Sequence, residues 1–211
     1  TDKIFVREAV CIAEPHRVFS FEQAGGEWII QLDADETLEV ADHPKIRALT
    51  QSPSVHAYNF RWEMWSGNRP VYFPGLQKIC LFRKSGIQFL GVPQAGVVTS
   101  CVGSVDLQLH HRPAYNNLAW RSFLKKARRW VPVHADYFFY TADKITSFNI
   151  SATEWVEKAA VIRKHIYTNM LWQPLKMFLG QMKNGLWRSR YGWQVALQQF
   201  VYYSYLYWKI G

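Results

Sequence analysis

A chain of 211 residues with 49% hydrophobic content is long enough to bury the core of one domain with a helical appendage, which excludes a wholly disordered polypeptide. Its formal net charge of +9 favours anionic partners such as nucleotide phosphates, acidic lipid head groups or nucleic acid. Three widely spaced cysteines, Cys11, Cys80 and Cys101, form no CxxC or Cys/His finger, so a reducing compartment without structural zinc is the simplest reading, and neither a signal peptide nor a run of about 18 apolar residues is present.

In chain order, His16 to Ala24 reads as a short helix stopped by Gly25-Gly26, and Glu27 to Leu32 as a strand apolar on both faces. That strand runs into Asp33-Ala34-Asp35-Glu36. A helical turn is expected over Pro44 to Thr50, then strands over Val55 to Trp65, Lys78 to Arg83 and Ile87 to Leu90, with a loop punctuated by Gly67, Pro70, Pro74 and Gly75. Val105 to His110 alternates with period two, which places His110-His111 at a strand end. Helical periodicity then covers Asn117 to Phe139, Ile145 to Tyr167, Leu171 to Met182 and Tyr191 to Lys209, with Pro113, Pro132 and Pro174 as boundaries or kinks.

Charge is distributed unevenly. Acidic residues gather between Glu22 and Asp42, whereas Lys and Arg dominate from Arg112 onward. The strand ending in Asp33 and Asp35 presents both carboxylates at the carboxyl edge of a sheet, where open α/β folds bind ligands. Like charges so close favour a shared hard cation, Mg²⁺ or Mn²⁺. The plainer alternative is that the acidic triplet caps the turn that follows, a task to which Asp is suited.

The stretch from Arg17 to Leu38, R-V-F-S-F-E-Q-A-G-G-E-W-I-I-Q-L-D-A-D-E-T-L, resembles the segment of family 2 glycosyltransferases that runs from a donor-side helix into the DXD motif. The run Gln77-Lys78-Ile79-Cys80-Leu81-Phe82-Arg83, with Arg61 and the aromatic loop at Pro74, is similar to the acceptor-side Q-x-R-L-F-R region of the bacterial lipopolysaccharide-core glucosyltransferase branch. Gly185-Leu186-Trp187, Tyr191-Gly192-Trp193 and Tyr207-Trp208-Lys209 resemble that branch's helical tail. The resemblance implies an α/β fold of the GT-A type with a Rossmann-like mixed sheet, and inverting transfer of a hexose from a nucleotide-diphosphate sugar. It also implies Asp35 as principal metal ligand, Asp33 on ribose or metal, and one nitrogen ligand from His110 or His111, with His110 preferred.

Two departures accompany the resemblance. The family's opening strand with Pro-x-Tyr-Asn has no counterpart, and Thr1-Asp2 reads as the end of its Asp-rich turn, so an N-terminally truncated domain is expected. After Phe89-Leu90-Gly91 the family's His-Glu pair is replaced by Gln94-Ala95, neither of which takes a proton. Asp106, His110 and His111 are the groups left for that task, with Gln94 marking the position.

Arg61, Arg83 and Lys78 are candidates to neutralise the diphosphate, against the plainer reading of solvated strand-edge cations. Trp62, Trp65, Tyr72 and Phe73 can stack on an acceptor sugar or simply pack in the core. The basic cluster Lys125 to Trp130, with Lys183, Arg188 and Arg190, lacks any nucleic-acid-binding module, so nucleic acid is not expected as a partner. Interleaved Trp and Tyr instead favour an anionic membrane surface. The expectation is thus an acceptor-side portion over residues 1–112 and a membrane-associating helical extension over 113–211, peripheral on the cytoplasmic face, with a glycan or lipid-linked acceptor. The alternative is a non-catalytic glycan- or membrane-binding relative.

Overall fold

A computed structural model describes residues 3–8, 10–73, 76–183 and 186–211. The Thr1-Asp2 turn, Pro74 with Gly75, and Gly185 of the tail motif lie outside the described residues. The chain forms a mixed α/β sheet followed by a helical C-terminal part.

Helix α1 spans Glu14–Gln23 with Pro15 in its first turn, where the missing N–H costs nothing, and strand β1 follows at Trp28–Ile30. The acidic turn leads to β2 (Glu36–Thr37) and α2 (His43–Leu49), then β3 (Ala57–Trp62), the small hairpin of β4 (Met64–Trp65) and β5 (Pro70–Val71), β6 (Gln77–Arg83), β7 (Phe89–Leu90) and β8 (Val102–His111). Five strands form one sheet in the order β1-β6-β3-β8-β2. β6 is antiparallel to both β1 and β3, and β3 is parallel to β8. Strands β1, β3 and β8 therefore run the same way and end at the same edge, where β6 begins.

Both faces of the sheet are covered. Val18 and Phe21 of α1 pack on Ile29, Ala57 and Phe82, while Ile46 of α2 packs on Tyr58, Phe60, Leu81 and Leu109. The neighbours Ala57/Tyr58 and Leu81/Phe82 divide between the two cores, as the period of two along a strand requires. A register shift between Tyr58 and Asn59 puts Leu81 and Ile79 opposite successive residues of β3, which lets Cys80 join the same core as Leu81. Burial there pushes the Cys80 thiol up to about 12, so it is a packing residue.

The helical part contains α3 (Trp120–Asp136), the short strand β9 (Ser147–Phe148), α4 (Thr153–Lys164), α5 (Ile166–Lys183) and α6 (Arg190–Ile210). Of the two outcomes expected for them, boundary or kink, Pro132 and Pro174 do not end their helices but lie inside α3 and α5. Residues 145–167, read as one helix, divide into β9 and α4 because Ser147 and Phe148 pair with Leu90 and Phe89. That pairing draws the 92–97 loop under the helices, where Val92 packs with Tyr137, Ile145 and Ala152. Gly91 is required at the crossing, since a Cβ would collide with the Thr146 side chain. At the other end, buried Gln198 of α6 donates to the Leu118 carbonyl at 2.8 Å, tying the last helix to the segment that leaves β8.

His134 closes the core between α3 and α6, with its Nδ1 3.1 Å from the Tyr202 hydroxyl. Burial pushes its imidazole down to about 4. The unfolded chain therefore takes up a proton below pH about 6.5 that the fold refuses until about pH 4, so stability present above pH 6.5 is lost as the pH falls through this window, by about 3 kcal/mol when complete. Urea unfolding at pH 7 and pH 4.5 should show an acid loss about 2–3 kcal/mol smaller in His134→Phe than in the unaltered chain. An identical loss in both would show that His134 is not the titrating group.

Candidate functional site

The edge where β1, β3 and β8 end collects most of the charged groups singled out above. Asp33 and Asp35 lie in the turn after β1, Trp62 and Glu63 at the end of β3, Lys78 at the start of β6, and His110 and His111 at the end of β8. The turn is closed by the Glu36 N–H, which donates to the Asp33 carbonyl at 3.0 Å, and Glu36 of β2 pairs with His111.

A buried ion network organises this edge. Lys78 Nζ donates to Glu36 Oε2 at 2.6 Å, to Glu36 Oε1 at 2.7 Å and to Asp33 Oδ2 at 3.0 Å. Asp33 Oδ1 accepts from Arg17 of α1 at 2.7 Å. The Trp62 indole donates to Glu36 Oε1 at 2.9 Å, and the Asp33 N–H to Glu36 Oε2 at 3.0 Å. Burial works to raise the Asp33 pKa, but the Arg17 and Lys78 charges and hydrogen bonds outweigh it, so the carboxyl lies below its ordinary value. Glu36 thus functions as the buried anchor of the turn rather than as a surface cap.

Asp35 is held differently. Its backbone carbonyl accepts from the Arg112 N–H at 2.7 Å, while its carboxylate sits 3.4 Å from His111 Nε2. Among the described residues it is the acidic side chain of this turn with no Lys or Arg within ion-pair distance. Burial lowers the His111 pKa against the opposing pull of Asp35 and Glu36, which keeps the ring neutral at pH 7. The Asn117 amide lies 3.4 Å from His111 Nδ1, and the Trp62 ring lies against the imidazole with centroids 4.8 Å apart. A carboxylate and an imidazole side by side are side-chain types that a divalent cation takes as ligands. No group of three His, Cys, Asp or Glu side chains with metal-holding geometry occurs among the described residues.

The two histidines lie on opposite faces of β8. His111 continues the buried row of Leu107 and Leu109, whereas His110 shares the other face of β8 with Asp106 and Gln108. His110 meets Glu39 at 3.2 Å and Glu63 at 3.6 Å. Glu63 is the residue that sequence reasoning passed over. Fully buried, it pairs with Arg112 and accepts from the His111 N–H at 3.3 Å through Oε1, while Oε2 has no partner. Its place after two alternating aromatics, Phe60 and Trp62, gave no sign that a carboxylate would be enclosed.

The remaining candidates are dispersed. Asp106 is exposed and ion-paired to Arg61 at 2.9 Å, about 16 Å along β8 from His111 by strand rise. Arg83, at the opposite end of β6 from Lys78, pairs with Glu27 at 3.3 Å and donates to the Ser52 carbonyl. Arg61, Trp62, Tyr72 and Phe73 line one open cleft of ≈ 660 Å³, with Gln77 and Gln108. A second cleft of ≈ 370 Å³ opens beside the ion network, between Arg17, Gln31, Asn59 and Lys78 on one side and Ala95 and Gly96 on the other. Gln94 adopts a positive φ of 61° and lines a neighbouring cleft that Arg17 also borders, its N–H donating to Glu14 Oε1 at 2.9 Å and its Oε1 accepting from the Tyr203 hydroxyl at 3.0 Å.

No family model matches the sequence, and a search of curated proteins finds no significant match.

Removing the Lys78 ammonium leaves Glu36 as a buried carboxylate without its cation. Lys78→Met should therefore cost about 3–5 kcal/mol in urea unfolding, and Lys78→Met combined with Glu36→Leu should recover most of that loss. A loss below about 1 kcal/mol in the single variant would contradict the anchoring role.

Proposed function

We propose that the chain is the acceptor-side part of a metal-dependent, inverting glycosyltransferase of the GT-A type, which moves a hexose from a nucleotide-diphosphate sugar to a glycan or lipid-linked acceptor at the cytoplasmic face of a membrane. The observation that carries this reading is the pairing of Asp35 with His111 at the edge where β1, β3 and β8 end. Ligands of α/β sheets collect at such carboxyl edges, and the acidic turn, the Gln77–Arg83 strand and the helical tail are the segments on which the family resemblance rests.

Mg²⁺ or Mn²⁺ fits this donor set, since such ions commonly take one or two protein side chains and leave their other positions to phosphate oxygens and water. Asp35 and His111 would hold the ion, which when bound offsets the charge growing on the diphosphate leaving group. Asp33, fixed by Arg17 and Lys78, keeps unused lone pairs on both oxygens and so can still accept from a ribose hydroxyl. Arg17 keeps guanidinium N–H donors beyond the one given to Asp33, and these suit a phosphate in the adjoining cleft.

The acceptor's proton needs a base. Ala95 cannot supply one, and Asp106 is committed to Arg61 on the other face of β8. The carboxylate nearest this loop is that of Glu14, bonded to the Gln94 N–H, and the proposal gives it the proton, with Gln94 orienting the acceptor. Ala95 also favours a second reading, a glycan-binding relative without catalysis.

The test is transfer from a panel of nucleotide-diphosphate hexoses, measured on the intact protein. Asp35→Ala and His111→Ala should each lower turnover at least about 100-fold, and Glu14→Gln should lower kcat by about 10²–10⁴-fold. Asp106→Asn should stay within about twofold, and the Glu14→Gln loss should fall on kcat rather than only on KM, because a base acts on the transition state. Loss of activity in Asp106→Asn with Glu14→Gln unaffected would move the base to Asp106. Absence of transfer from any donor, with retained glycan binding, would establish the second reading.

A further inference from the structure

The outward face of α5 has the wrong polarity for water. Tyr167, Leu171, Trp172, Leu175 and Leu179 are 81%, 80%, 55%, 40% and 50% exposed, and their spacing of about one turn places them on one side of the helix. The inward side is already satisfied: Met170 joins the α3/α6 core, and Phe178 lies against Trp193 and Phe200 of α6 at centroid distances of 6.0 and 6.3 Å. The apolar surface continues through that contact onto α6. Trp193 is half exposed with its indole N–H fixed on the Trp187 carbonyl at 3.0 Å, and Trp187 is itself exposed. A continuous exposed patch of this kind marks an interaction surface.

Charge identifies the occupant. Residues 158–211 carry eight Lys and Arg and no Asp or Glu. Lys176 and Lys183 stand on the same exposed face of α5 as the leucines, where their long stems let the ammonium groups reach outward from a buried apolar strip. A second copy seated on this face would bring two cationic surfaces together, which opposes self-association. Among the described residues no helix is long and apolar enough to cross a membrane, so attachment would lie at head-group depth, where Trp and Tyr are favoured.

We propose that the outward face of α5, extended by Trp187 and Trp193, docks on an anionic lipid bilayer, with Leu171, Leu175 and Leu179 entering the acyl boundary and Lys176 and Lys183 meeting the head groups. This docking is independent of the transfer chemistry and stands even if the chain binds no sugar nucleotide.

The test is co-sedimentation of the protein with phosphatidylcholine vesicles, with and without phosphatidylglycerol. Partition should require phosphatidylglycerol, weaken in high salt, and fall roughly tenfold or more in both Leu171→Glu/Leu175→Glu and Lys176→Glu/Lys183→Glu. Because these side chains are exposed, circular dichroism should show both variants folded, and the lysine pair tests the surface without touching the leucines. Equal partition onto neutral and anionic vesicles, or unchanged binding in the folded leucine variant, would overturn the proposal. A dimer in sedimentation velocity that Leu171→Glu converts to monomer, with no vesicle binding in either form, would assign the face to a second copy instead.

Discussion

The contact among Lys78, Glu36 and Asp33 ties the start of β6 to the acidic turn and to β2 at this edge. Lys78 opens β6, Glu36 begins β2, Asp33 ends the segment after β1, and Trp62 from β3 and Arg17 from α1 complete the bonding. Burying a carboxylate is costly unless it is paired and fully hydrogen-bonded, and Glu36 meets both conditions on its two oxygens. The consequence is directional. With Asp33 and Glu36 drawn to cations on one side, the turn leaves the Asp35 carboxylate facing the other way, onto His111.

Two carboxylates one residue apart thus take separate tasks. Asp33 is neutralised and held by two cations, while Asp35 faces an imidazole that burial keeps uncharged. A second pair, buried Glu63 with the exposed Arg112, holds the backbone of His111, Glu63 accepting from its N–H and Arg112 donating to its carbonyl. The unpartnered Oε2 of Glu63 leaves this pair less completely bonded than Glu36, both of whose oxygens are satisfied.

How much of this was legible depended on the range of the interaction. The acidic turn, the strand before it and the alternation of β8 are local patterns, and all stand close to where periodicity placed them. Which histidine is buried was legible too, since extending the row Leu107, Leu109 by two residues reaches His111, not His110. Pro132 and Pro174 left boundary or kink open from sequence, and α3 and α5 run through both. The pairing of β7 with β9 joins residues nearly sixty apart, and no local signal announces it. Glu63 and Arg17 were invisible as site residues for the same reason, because each acquires its role from a partner on a distant strand or turn. Arg83, by contrast, shares a strand with Lys78 but lies at its opposite end, a distance that motif resemblance does not convey.

The central claim is that Asp35 and His111 together hold a divalent cation. Electron spin-echo spectroscopy of added Mn²⁺ addresses it without relying on turnover. The account predicts a ¹⁴N coupling from a directly bound imidazole that disappears in His111→Gln and in Asp35→Ala but persists in His110→Gln. A spectrum without nitrogen coupling, or one lost on substituting His110 and retained on substituting His111, would contradict it.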